Sequence, residues 1–89
     1  MAHAKTRSIW DPQIVRTAVW DALRNLRSRL AREQGVPAYV IFHDATLLAM
    51  LRERPQTLSA LGAISGVGER KLERYGEAFL SELVSPANA

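Results

Sequence analysis

The tightest constraint on the fold lies in residues 64–76, ISGVGERKLERYG, where Gly66-Val67-Gly68 separates two apolar-periodic stretches. Glycine reaches positive φ without a Cβ clash and lets neighbouring backbone come close. The chain must turn sharply here, and a helical run from residue 69 follows the turn. Two roles fit a Gly-x-Gly at such a place. The first N–H groups of a helix have no partners within it, and the helix dipole favours an anion there. With Arg70, Lys71 and Arg74 in the next two turns, the motif reads as a phosphate contact. It also reads as a close-packed helical hairpin whose glycines serve packing alone, and the motif by itself does not separate the two.

Upstream, Asp11-Pro12 is a strong helix start, a side-chain acceptor followed by proline at the first helical position. Val15, Val19, Ala22, Leu23, Leu26 and Leu30 then close one apolar stripe at helical spacing, and Gly35 is a plausible stop. The spacing predicts a helix of about 22 residues. Its other side carries Arg16, Arg24 and Arg27, with Trp20 on the same flank. An indole among arginines suits base stacking, and an indole at a stripe's edge also suits partial burial.

Residues 36–42, VPAYVIF, are apolar enough for a strand, but no second β-run exists to pair with it. An extended or 3₁₀ connection that plugs the core with Val40, Ile41 and Phe42 is expected, with Tyr39 at its mouth. Asp44 is expected to cap a helix over 45–53, with Leu47, Leu48 and Leu51 on one face. Arg54-Pro55 ends it. Thr57 caps a short element over 58–63, and after the glycine turn a helical run over 69–84 buries Leu72, Tyr75, Phe79, Leu80 and Leu83. Gly76 interrupts that run. It either lets a neighbour approach or breaks the helix, and a break or kink is the expectation. The sum is an all-α bundle of about five helices over residues 11–84, with tails at 1–10 and 85–89.

Charge and residue inventory narrow the chemistry. Twelve Lys+Arg against nine Asp+Glu leave a net charge of +3, and Lys5 and Lys71 are the only lysines. The guanidinium fork suits phosphate better than an ammonium does. The chain contains no cysteine and two histidines, which rules out disulfides and thiolate metal sites. Nucleophilic catalysis needs a base beside the nucleophile, and His43, the only internal histidine, reads better as part of a helix start. Carboxylates interleaved with arginines, as in Arg52-Glu53-Arg54, favour ion pairing. There is no phosphate-binding G-x-x-x-x-G-K-[ST] motif. No apolar run reaches the ~20 residues that span a bilayer, and a cytoplasmic, nucleoid-associated protein is expected.

The wording of VPAYVIFHDATLL and RERPQTLSALGAISGVGERKLERYG, behind a long amphipathic helix, resembles the HRDC domain found at the C-termini of RecQ helicases and RNase D, most of all the bacterial RecQ form. Ala38 departs from it, standing where RecQ copies often have a second proline. The resemblance implies a five-helix orthogonal bundle of the SAM-like kind, and an accessory module rather than an enzyme. It implies weak binding of single-stranded or partly single-stranded DNA in repair and recombination. It also implies that the tyrosine at Tyr39 stacks on a base while nearby cations follow the phosphates. Arg24, Arg27, Arg52, Arg54, Arg70, Lys71 and Arg74 are the candidate cations. The domain is expected to be monomeric and to hold no cofactor of its own, with ATP and magnesium belonging to a parent helicase core. Two rival readings stay open. One is a module that docks on the parent core or a repair protein. The other is the RNA-binding module of an RNase D-like exonuclease.

Overall fold

The computed structural model describes residues 11–84 and is all-helical over that span. Its elements are α1 (Pro12–Gln34), α2 (Ala38–Ile41), α3 (Asp44–Glu53), α4 (Leu58–Gly62) and α5 (Gly68–Val84). The two stretches read as tails lie outside the described residues.

Helix α1 starts and stops as its sequence dictates. The Gln13 N–H donates to the Asp11 carboxylate at 2.8 Å, and Pro12 occupies the first turn. At the other end Gly35 takes φ 67°, and the N–H groups of Gly35 and Val36 donate to the carbonyls of Arg32 and Ala31. That pair of bonds satisfies carbonyls the helix itself leaves open. The stripe buries Val19, Leu23, Leu26 and Ala31.

The connection after α1 differs from expectation. Residues Ala38–Ile41 form one α-helical turn rather than an extended or 3₁₀ plug, closed by the Phe42 N–H on the Ala38 carbonyl. A full turn points consecutive side chains about 100° apart, so three successive residues cannot share one face. Ile41 and Phe42 are sealed in the core, whereas Val40 is 40% exposed. Phe42 stands edge-on to Phe79 at 5.0 Å and to Tyr75 at 6.1 Å between ring centroids.

Helix α3 begins at Asp44 with His43 as its cap residue and no side-chain capping bond. Asp44 is therefore the first helical residue and not the cap, and its carboxylate is engaged elsewhere. The buried face is Thr46, Leu47, Met50 and Leu51; Leu48, expected inside, is 46% exposed. Residues 47, 50 and 51 recur at helical spacing, and position 48 turns away from them. The helix ends in Arg54, the one non-glycine residue with positive φ among those described, at 48°.

Helix α4 is capped as its sequence indicates, the Thr57 hydroxyl accepting the Ala60 N–H at 3.1 Å. Its tightest packing is on α5. Helix α5 runs unbroken through Gly76, so the expected break does not occur. A Cβ at Gly76 would lie 3.0 Å from a Leu72 methyl and 3.1 Å from a Leu58 methyl. The glycine is there so that α4 can come close. Gly66 has a comparable reason. Its φ is 95°, and a Cβ there would collide with the Thr46 hydroxyl, which donates to the Ser65 carbonyl. Gly68, at φ 68°, faces open space. Packing against α3 thus accounts for one glycine of the turn and backbone conformation for the other.

Candidate nucleic-acid interface

Where α2 passes into α3, the chain places two rings side by side on the surface. Tyr39 is 59% exposed, and its ring stacks on His43 with centroids 5.7 Å apart and planes inclined by 28°. Both follow from local geometry. Tyr39 occupies the outer side of the single turn, opposite the sealed Ile41. His43, in extended backbone before α3, projects back toward it. His43 was read from sequence only as part of a helix start; the signal that finds it is its spacing of four from Tyr39, at which side chains meet across one helical turn.

Beneath the rings, Phe42 ties three elements together. Its carbonyl accepts a 2.9 Å bond from an Arg27 guanidinium nitrogen on α1, and that same nitrogen is 2.7 Å from the Asp44 carboxylate on α3. The Arg27 side chain is only 13% exposed, against 79% for Asp44. Arg27 is thus committed to holding the α2–α3 junction against α1. Lys71, from the first turns of α5, places its ammonium 5.6 Å from the centre of the Phe42 ring, half-buried. Tyr39, His43, Arg27 and Lys71 therefore gather around Phe42 although 32 residues of sequence separate the first from the last.

The other candidates fall in different places. Arg24, exposed on α1, lies over the half-buried Trp20 ring at 5.8 Å, so the indole serves as core on one face and as a seat for a cation on the other. Arg74 sits over the Tyr75 ring at 5.4 Å and lines a groove with Leu58, Leu72, Glu69, Glu73 and Glu77. Tyr75 is itself sealed, its hydroxyl donating to the Gln34 side chain at 3.0 Å. Arg70 is exposed on the same helix. Arg52 is exposed at the far end of α3, about 12 Å along the helix from Asp44 at 1.5 Å per residue. Arg54, half-buried beyond it, donates to the Leu83 carbonyl at 3.2 Å and so ties the end of α3 to the end of α5. Exposed rings with free cations within reach can stack bases and follow a phosphate backbone, and nothing in this arrangement supplies a nucleophile with its base.

Comparison with known proteins gives one consistent result. The HRDC domain family model matches residues 16–83. The ATP-dependent DNA helicase RecQ of Bacillus subtilis is 43% identical over 65 residues, covering 73% of this chain and 11% of that protein. The ATP-dependent DNA helicase UvrD2 of Mycobacterium tuberculosis is 50% identical over 58 residues, covering 65% of this chain and 8% of that protein. Among solved structures, the third HRDC domain of D. radiodurans RecQ superposes with a TM-score of 0.79 at 36% identity, covering 83% of this chain and 97% of that one. The chain spans about a tenth of the length of the helicases it matches.

Proposed function

The chain belongs to the HRDC domain family, and we propose that it serves as an accessory module that holds single-stranded or partly single-stranded DNA for a helicase motor on the same polypeptide. The observation that carries this reading is the exposed Tyr39 ring stacked on His43, with Lys71 beside it and Arg24 free on the neighbouring face of α1. A base laid on Tyr39 gains stacking worth about 1–3 kcal/mol, and each phosphate that meets a free cation adds a contribution that salt weakens. Arg27 acts indirectly by fixing the loop that presents the rings. Strand separation and ATP hydrolysis belong to the motor, and this module raises the residence time of the strand near it. The helicase names of the relatives support that setting.

A protein contact is the second reading, and it has a surface of its own. The groove between α4 and α5 has Leu58 and Leu72 at its base and Glu69, Glu73 and Glu77 along it, a composition that suits a basic segment of a partner and repels DNA. Parallel titrations of labelled oligothymidylate and RNA of matched sequence test the proposal. DNA binding that is at least as tight as RNA binding supports a helicase module. Preference for RNA favours the exonuclease-type role, and no binding of either leaves protein docking.

A further inference from the structure

Helices α1 and α3 run antiparallel. Arg27 meets Asp44 at one end of their seam, and Val15 and Arg16 share a notch with Leu51, Arg52 and Arg54 at the other. Along α3, Asp44, Leu48 and Arg52 follow one another at intervals of four and so share a face. Along α1, Arg27, Trp20 and Arg16 fall within a narrow arc of the helix, with Arg24 beside them. The seam therefore leads from the Tyr39–His43 rings, past Arg24, the half-buried Trp20 and the exposed Leu48, to three guanidinium groups.

Those three groups have no full complement of counter-charge. Among the described residues neither Arg16 nor Arg52 forms an ion pair, and the one bond of Arg54 goes to a neutral carbonyl, that of Leu83. Glu53 lies on the opposite side of α3 from Asp44, and Asp21 projects away from the Arg16 side of α1. Asp11 stands near the notch, its carboxylate accepting the Gln13 N–H. Three cations converging around one acid leave net positive charge on a concave surface whose remaining lining is Pro12, Gln13, Val15 and Leu51.

We infer that the Arg16–Arg52–Arg54 notch is a second anchor for the same strand, taking a backbone phosphate a few nucleotides away from the base stacked on Tyr39. This rests on the DNA-binding reading above and adds a polarity to it: rings at one end of the α1–α3 seam, a phosphate seat at the other. Short strands reach one site, and longer strands reach both.

The test uses oligothymidylates of about 4 and about 16 nucleotides, the bounds of common single-strand site sizes, with the Arg16→Gln/Arg52→Gln double variant. Both side chains are exposed, so the fold is retained. For the longer strand the variant binds about tenfold more weakly, and its salt slope is shallower by about 1.4, or roughly 0.7 for each lost phosphate contact. Its affinity for the shorter strand matches that of the parent. Equal affinity and slope for the longer strand would overturn the anchor while leaving the Tyr39 site standing. A uniform loss on both strands would mean that the two arginines act as diffuse charge and not as a distant seat. As a second readout, tripolyphosphate, which has no base to stack, shifts the Nε–H resonances of Arg16 and Arg52 and leaves the Tyr39 ring signals in place. Failure to shift them counts against the notch whatever DNA does.

Discussion

Tyr39 and His43 stack ring on ring at 5.7 Å while one side of the tyrosine stays open to solvent. A base that lies on Tyr39 therefore meets a ring whose orientation is already fixed, and less freedom is lost on binding. Tyr39→Ala lowers affinity for oligothymidylate by about 5- to 150-fold, the equivalent of 1–3 kcal/mol, with the helical circular dichroism unchanged. His43→Ala gives a smaller loss, and His43→Phe, which keeps a ring beside Tyr39, restores most of it. Fluorescence anisotropy with labelled strand measures all three.

The Arg27 guanidinium holds the junction beneath those rings. Arg27→Ala removes the bond to the Phe42 carbonyl and the partner of Asp44 together. It destabilises the domain by about 1–3 kcal/mol in urea unfolding, whereas the exposed Arg24→Ala stays within about 0.5 kcal/mol. Asp44→Asn costs under about 1 kcal/mol, because that carboxylate is largely in water.

Arg54 combines a left-handed backbone with a long-range hydrogen bond, and two substitutions separate them. Arg54→Ala loses the bond to the Leu83 carbonyl and keeps the unfavourable φ. Arg54→Gly loses the same bond and relieves the backbone, so it is more stable than the alanine variant by about 1 kcal/mol. Thermal unfolding of the pair reads the difference directly.

The glycines of the turn respond unequally. Gly66→Ala combines a positive φ with a collision against the Thr46 hydroxyl and costs at least about 2 kcal/mol. Gly68→Ala meets only open space and costs about 1 kcal/mol from its φ. Equal costs would mean that the contact with α3 does not set the turn.

Much of this architecture is legible in the sequence because it is local. Proline and aspartate start α1, Gly35 ends it, Thr57 caps α4, and the recurrence of Val19, Leu23 and Leu26 marks the buried face. Errors arise where a tertiary contact overrides a local preference. Gly76 reads as a helix breaker until Leu58 of α4 is seen against it, and Leu48 and Val40 read as core until the one-turn α2 fixes which way each helix faces. The candidate site divides in the same way. The resemblance singles out Tyr39, but the engagement of Arg27 and Arg54 with the Phe42 and Leu83 carbonyls, 15 and 29 residues distant, has no local sign. Composition records arginines and cannot tell a cation that fastens two helices from one left free for phosphate.

The most direct test of the account is an NMR titration of the chain with oligothymidylate at low salt, repeated at high salt. The account predicts that signals of Tyr39, His43 and Lys71 move together at low salt, that those of Leu58 and Glu73 in the acidic groove stay still, and that the shifts collapse as salt rises. Oligothymidylate that leaves Tyr39 and His43 unperturbed at low salt would contradict it.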